Sequence, residues 1–121
     1  MSPGRVVLVE DDAGVRGVVE ILLSTEPGLE LVGWAASAER GIEVVRETQP
    51  DLLLLDNQLE GELTGLQAAT AFKQAAPGVR VLLCTALDLA AAAAEAPDVD
   101  GFLRKDRLAE LPDVALELLR R

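Results

Sequence analysis

Short apolar runs in this chain end repeatedly in a residue that can bind a cation or a phosphate. Val6–Val9 leads into Glu10-Asp11-Asp12, Leu52–Leu55 into Asp56, and Val79–Cys84 into Thr85, while Lys105 comes just after Gly101–Leu103. Carboxylates gathered in one crevice cannot all stay ionised cheaply without a counterion. Oxygen-only ligands select a hard divalent cation. A few carboxylates with a backbone carbonyl and waters suit octahedral Mg²⁺ better than a closed Ca²⁺ cage, and the spacing does not match the calcium-loop pattern. Lys105 adds positive charge opposite the metal. Metal, ammonium and hydroxyl together form a receptor for a phosphoryl group, whose charge spreads over its oxygens during transfer. A carboxylate at the centre can itself be the nucleophile, giving an aspartyl phosphate.

These residues act together only if the fold collects them, and the hydrophobic pattern predicts that it does. Val15, Val18, Val19, Leu22 and Leu23 recur at helical spacing until Pro27-Gly28 stops the helix. Leu29–Ala35 reads as a strand nearer a sheet edge, because it is less uniformly apolar. Ser37 can cap a helix with Ala38, Gly41, Ile42 and Val45 on its buried face, ended by Pro50. A loop through Gly61 and Gly65 leads to a helix with Leu66, Ala69, Phe72 and Ala76 on one side, closed by Pro77-Gly78. Leu89–Ala96 reads as a short alanine-rich helix that Pro97 cannot extend. Leu108, Leu111, Ala115 and Leu118 make a last helical stripe, with Pro112 delaying its start.

Strand and helix therefore alternate, which predicts a parallel sheet covered by helices on both faces. Right-handed crossovers leave few topologies. For five strands the expectation is an α/β, flavodoxin-like three-layer sandwich with strand order 2-1-3-4-5. In such a sheet all the polar strand ends lie on one edge. The first and third strands are neighbours at the switch point where open α/β sheets bind ligands.

Composition narrows the partners. The chain has 121 residues, half of them apolar, and reads as a single domain over residues 1–121. Twenty-one acids against eleven bases give a net charge of −10, so no direct nucleic-acid binding is expected. The longest apolar stretch, Leu89–Ala94, is far too short to span a membrane, and no apolar leader follows Met1. A cytoplasmic location is the expectation. There is no histidine, which excludes imidazole catalysis, a His-ligated zinc and a phosphohistidine within the chain. Cys84 is alone and reads as a small core hydrophobe.

Val9-Glu10-Asp11-Asp12 with Arg16, Leu53-Leu54-Leu55-Asp56, Cys84-Thr85-Ala86 and Gly101-Phe102-Leu103-Arg104-Lys105 resemble the receiver domain of two-component response regulators, over essentially the whole chain. The Phe102-Leu103-Arg104-Lys105-Asp106 ending looks most like receivers that carry helix-turn-helix output domains. The resemblance implies that Asp56 is the phosphoacceptor, taking a phosphoryl group from a sensor histidine kinase or phosphotransfer protein. It implies that Mg²⁺ is held by Asp11 and Asp56, by Glu10 through water, and by the Gln58 main-chain carbonyl. Arg16 keeps its family spacing when the acidic pair is placed at Glu10-Asp11, which leaves Asp12 as a solvated third acid. Thr85 and Lys105 would contact the phosphoryl oxygens, and Thr85 and Phe102 would form the switch. The output or homodimer surface implied is the fourth helix, fifth strand and fifth helix. The chemistry implied is self-catalysed transfer to the chain's own Asp56, not turnover. Gln58 and Leu87 flank the expected path of hydrolytic water, with Leu87 shielding the acyl phosphate.

Three departures from the family pattern stand out. Leu59-Glu60 replaces the usual apolar residue and proline, and Gly65, nine residues after Asp56, implies one extra loop residue. The stretch from Thr85 to Lys105 is also slightly short. Plainer readings sit beside these: Glu10-Asp11-Asp12 as a strand end or helix N-cap, Asp56 as a turn residue, Lys105 as a surface lysine, and Trp34 as a cover for the sheet edge. Rival metal sites fail at their diagnostic residues. An aspartyl-phosphate phosphatase would need Asp-x-Asp-x-Thr where Asp11-Asp12-Ala13-Gly14-Val15 stands, and a primase- or topoisomerase-like site would need Asp-x-Asp where Asp56-Asn57-Gln58 stands. The alternative that survives is a receiver-like interaction module that works without phosphorylation.

Overall fold

The computed structural model describes residues 2–121; Met1, the first residue of the segment read for a leader, lies outside the described residues. Its elements are β1 (Gly4–Val9), α1 (Ala13–Ser24), β2 (Leu29–Ala35), α2 (Ala38–Thr48), β3 (Leu52–Leu55), α3 (Gly65–Ala75), β4 (Arg80–Thr85), α4 (Ala90–Glu95), β5 (Gly101–Arg104), a 3₁₀ segment (Lys105–Glu110) and α5 (Leu111–Arg120). The strands are all parallel in the order β2-β1-β3-β4-β5. That is the flavodoxin-like sandwich expected from the strand–helix rhythm.

The period of two along each strand divides the core into two layers. Val7, Val9, Leu53, Leu55, Val81 and Leu83 pack with α2, α3 and α4 through Val44, Val45, Phe72 and Ala93. Val6, Leu8, Leu52, Leu54, Leu82 and Cys84 pack on the other face with α1 and α5 through Val19, Leu23, Leu111, Ala115 and Leu118. Both faces of the central strands are covered, which is why β3 is four consecutive leucines and not an alternating run. Each of those buried leucines is worth about 2 kcal/mol of transfer free energy.

Local chemistry explains most boundaries. The Ser37 side chain accepts from the Arg40 N–H at 3.2 Å and starts α2. Gln49 ends it in the left-handed conformation, with φ of 48°, and its side chain donates to the Ala75 carbonyl at 2.8 Å. Thr64 and Gln67 form a reciprocal capping box at the start of α3. Pro112 is accommodated in the first turn of α5, so the delay appears as the preceding 3₁₀ segment that holds Leu108.

The differences from the sequence reading are small and have physical causes. Val79 precedes β4 because its N–H turns back to the Ala76 carbonyl at 3.0 Å, and Thr85 is the last residue inside the strand. The fourth helix is only Ala90–Glu95, without a side-chain cap, and Ala93 is its buried residue. Alanine favours helix but offers little surface to bury. In β2 the pairing with β1 shifts between Val6↔Leu31 and Val7↔Gly33, so Val32 is an extra, bulged residue. Leu29 and Leu31 then pack with α1 and α5, whereas Val32 and Ala35 face the α2 layer.

Candidate functional site

Strand register brings the acids together. Val9 pairs with Leu55, and the Asp56 N–H donates to the Val9 carbonyl at 3.0 Å, so Glu10 and Asp56 leave adjacent strands at the same level. Carboxylate oxygens of Glu10, Asp11 and Asp56 all lie within 4.8 Å of one another. Lys105, immediately after β5, reaches back with its ammonium 2.5 Å from Glu10 Oε1 and 3.1 Å from Asp56 Oδ2. The polar or charged side chains buried among the described residues are Glu10, Asp56 and Thr85, at 2%, 3% and 0% exposure. All of them lie at this strand edge, where burying charge is costly unless it is matched.

The electrostatics are those of an overfilled anionic pocket. Burial, and then the hydrogen bond with Asp56 and its nearby charge, push the Glu10 carboxyl up to about 7, against the opposing pull of Lys105. Burial disfavours the Lys105 ammonium, but its bonds to Glu10 and Asp56 outweigh that and hold it above the ordinary lysine range. One ammonium thus bridges two buried carboxylates without fully compensating the cluster. The donors are all hard oxygens, which fits a divalent cation of the Mg²⁺ type.

Backbone contacts orient the acids. The Asp12 N–H donates to Glu10 Oε2 at 3.3 Å, and the Gln58 N–H donates to Asp56 Oδ1 at 3.3 Å. Gln58 itself is exposed, its main chain one loop residue beyond Asn57. Asp12 is the N-cap of α1: its side chain accepts from the Val15 N–H at 3.0 Å, which holds its carboxyl below the usual range. The capping reading therefore holds for Asp12, while Glu10 and Asp11 face the cluster.

Thr85 lies at the end of β4, and its Oγ1 accepts weakly from the Leu87 N–H at 3.5 Å. No hydrogen bond joins Thr85 to Asp56 or Lys105 among the described residues. Phe102 is outside the cluster: it pairs with Leu83 across β4–β5 and packs, half-buried, against the α2–α3–α4 layer. Leu87 is exposed beside Thr85. Burial pushes the Cys84 thiol up to about 12, so it is an inert core group as the sequence implied.

The loop after Asp56 absorbs its extra residue without disturbing the acids. Asn57 staples it, accepting from the Gly65 N–H on its carbonyl at 3.1 Å and from the Leu66 N–H on its side chain at 3.0 Å. A side chain at Gly65 would collide with the Asp56 carbonyl oxygen. Gly61 turns the loop at φ of 90°, and Glu60 makes an isolated bridge to Ser37.

One polar contact carried only a spacing argument in the sequence. Arg16 Nη1 donates to the Glu10 main-chain carbonyl at 2.8 Å, while its guanidinium lies over the Trp34 ring, 4.2 Å from the centroid. A position one helical turn past the acidic run was the available signal for the first contact. No local signal pointed to the second.

Comparison with known proteins agrees with this geometry. The family described as the response regulator receiver domain matches residues 6–115. The response regulator protein VraR of Staphylococcus aureus is 36% identical over 81 residues, covering 67% of this chain and 38% of the relative. A protein-glutamate methylesterase/protein-glutamine glutaminase of Myxococcus xanthus is 38% identical over 120 residues, covering 92% of this chain and 34% of that enzyme. The chain thus spans little more than a third of these curated relatives. Among solved structures, the signal receiver domain of the response regulator NarL from Mycobacterium tuberculosis superposes with a TM-score of 0.89 at 30% identity, covering 99% of this chain and 98% of that one. No helix among the described residues is long and apolar enough to cross a membrane. With a family match running from β1 into α5, this chain belongs to the receiver domains of two-component response regulators.

Proposed function

We propose that Asp56 is the phosphoacceptor of this receiver and that Glu10, Asp11, Asp56 and the Gln58 main-chain carbonyl hold Mg²⁺, Glu10 through water. The observation that carries this reading is the burial of Glu10 and Asp56 against the shared Lys105 ammonium. A bound Mg²⁺ would offset the charge that the acids and an incoming phosphoryl group bring together. A carboxylate oxygen of Asp56 attacks phosphorus, an O–P bond forms, and the N–P bond of the donor's phosphohistidine breaks, its electron pair leaving with the imidazole, which is then protonated. Lys105 turns from Asp56 to a phosphoryl oxygen, and the Thr85 hydroxyl donates to another.

Transfer replaces a carboxylate by a larger, more negative group. Thr85 and Phe102 would pass that change to the face formed by α4, β5 and α5. The partners are a sensor histidine kinase or phosphotransfer protein, and an output domain of the helix-turn-helix kind or a second copy on that face. Residues 1–121 act as one receiver unit in the cytoplasm. The chain transfers phosphate onto itself and catalyses no turnover.

Incubation with a small acyl-phosphate donor and Mg²⁺, read by intact mass, tests this. The expected result is a single added phosphate that Asp56→Asn abolishes. An unmodified mass, with no Mg²⁺ binding, would instead favour an interaction module that works without phosphorylation.

A further inference from the structure

The Glu10 backbone is held on both sides, its N–H by β2 and its carbonyl by α1. Its N–H donates to the Ala35 carbonyl at 2.9 Å. Its carbonyl is held by Arg16, whose guanidinium rests on the ring of Trp34, the residue before Ala35. Trp34 is 53% exposed on an edge strand, so burial does not account for a large aromatic side chain there. Val32 accounts for its direction, because the extra residue in β2 turns Trp34 toward α1. Among the described residues no carboxylate pairs with Arg16, which leaves the ring to fix the guanidinium plane. A groove of about 220 Å³ between α1 and β2 borders Arg16, Gly17, Glu20 and Trp34. Without the ring, Arg16 would have room to swing and a carboxylate one helical turn away to swing toward.

We propose that Trp34 is a positioning residue for the acidic site, its ring holding Arg16 against the Glu10 carbonyl and so fixing the peptide from which Glu10 and Asp11 reach the cation. This rests on the Mg²⁺ reading above. A guanidinium on an indole face is worth enough that its loss should weaken cation binding by about three- to tenfold. Trp34 acts through Arg16, so removing both should cost no more than removing Arg16 alone.

The test is Mg²⁺ titration calorimetry on the full chain and on Trp34→Leu, Trp34→Phe, Arg16→Met and the Trp34→Leu/Arg16→Met double variant. The expected result is weaker binding by Trp34→Leu, near-normal binding by Trp34→Phe, and a double variant no weaker than Arg16→Met. Trp34 is the chain's one tryptophan and there is no tyrosine, so its fluorescence gives a second readout. Emission should follow Mg²⁺ in the parent chain and cease to do so in Arg16→Met. Trp34→Leu binding as tightly as the parent, or losses that multiply in the double variant, would overturn the proposal. If the leucine variant does not fold, an emission change that persists in Arg16→Met overturns it equally. A parent chain that binds no Mg²⁺ fails the phosphoacceptor reading itself, which is a different outcome.

Discussion

Glu10 should make the metal-free receiver lose stability as the solution turns from acid to alkaline. Its carboxyl is pushed up to about 7 from an ordinary 4.5 by burial first and by Asp56 second. The folded chain therefore holds this proton more tightly than the unfolded chain does. The stabilising contribution is complete below 4.5 and disappears as pH rises through 7. At about 1.4 kcal/mol per pH unit, the interval amounts to about 3 kcal/mol, or roughly 10 °C in melting temperature for a domain of this size. Urea unfolding in a chelating buffer at about pH 5 and about pH 8 measures it, with Glu10→Gln as the control that cannot titrate. The parent chain should lose more stability than the variant between the two conditions. Saturating Mg²⁺ should remove most of the difference, because the cation favours the ionised carboxylate that protons compete for. Equal pH slopes for parent and variant would refute the claim that Glu10 is the buried acid that titrates in this range.

Three further outcomes follow from the same geometry. Lys105→Met removes the ammonium that bridges Glu10 and Asp56, and should cost about 3 kcal/mol in chelating buffer above neutral pH; an unchanged urea midpoint would count against the shared ion pair. Gly65→Ala drives a methyl group into the Asp56 carbonyl and should destabilise the fold by at least about 2 kcal/mol, whereas a neutral effect in thermal melts would mean the loop is free to shift. Leu87→Ala should shorten the lifetime of phosphorylated Asp56 in Mg²⁺ buffer, followed by intact mass over time; an equal lifetime would remove Leu87 as a shield.

The layout of the site was legible because parallel α/β architecture converts sequence order into position. A polar residue after each apolar run must emerge at the same sheet edge, so Glu10, Asp11, Asp56, Thr85 and Lys105 could be assigned to one crevice before any distance was known. Cys84 could be set aside on the same ground, as a residue inside an apolar run. The roles within the acidic run were harder to separate. Asp12 is a helix cap and Glu10 a buried acid, yet the two stand within one tripeptide of similar side chains. Which of them turns inward depends on where β1 ends and α1 begins, and strand pairing decides that.

The periodicity of the chain by itself determined the alternation of strand and helix, the two-sided covering of the sheet and the edge that carries the acids, while the strand order followed from general topology rules applied to that alternation. Only the tertiary structure decided that burial pushes the Glu10 carboxyl above its ordinary range, that one lysine serves two carboxylates, and that Trp34 lies against Arg16. Each of these depends on the register between segments far apart in sequence, and on the burial that register produces. A single bulged residue at Val32, next to Gly33, reverses which face Trp34 occupies, and only the pairing with β1 decides that the strand shifts there.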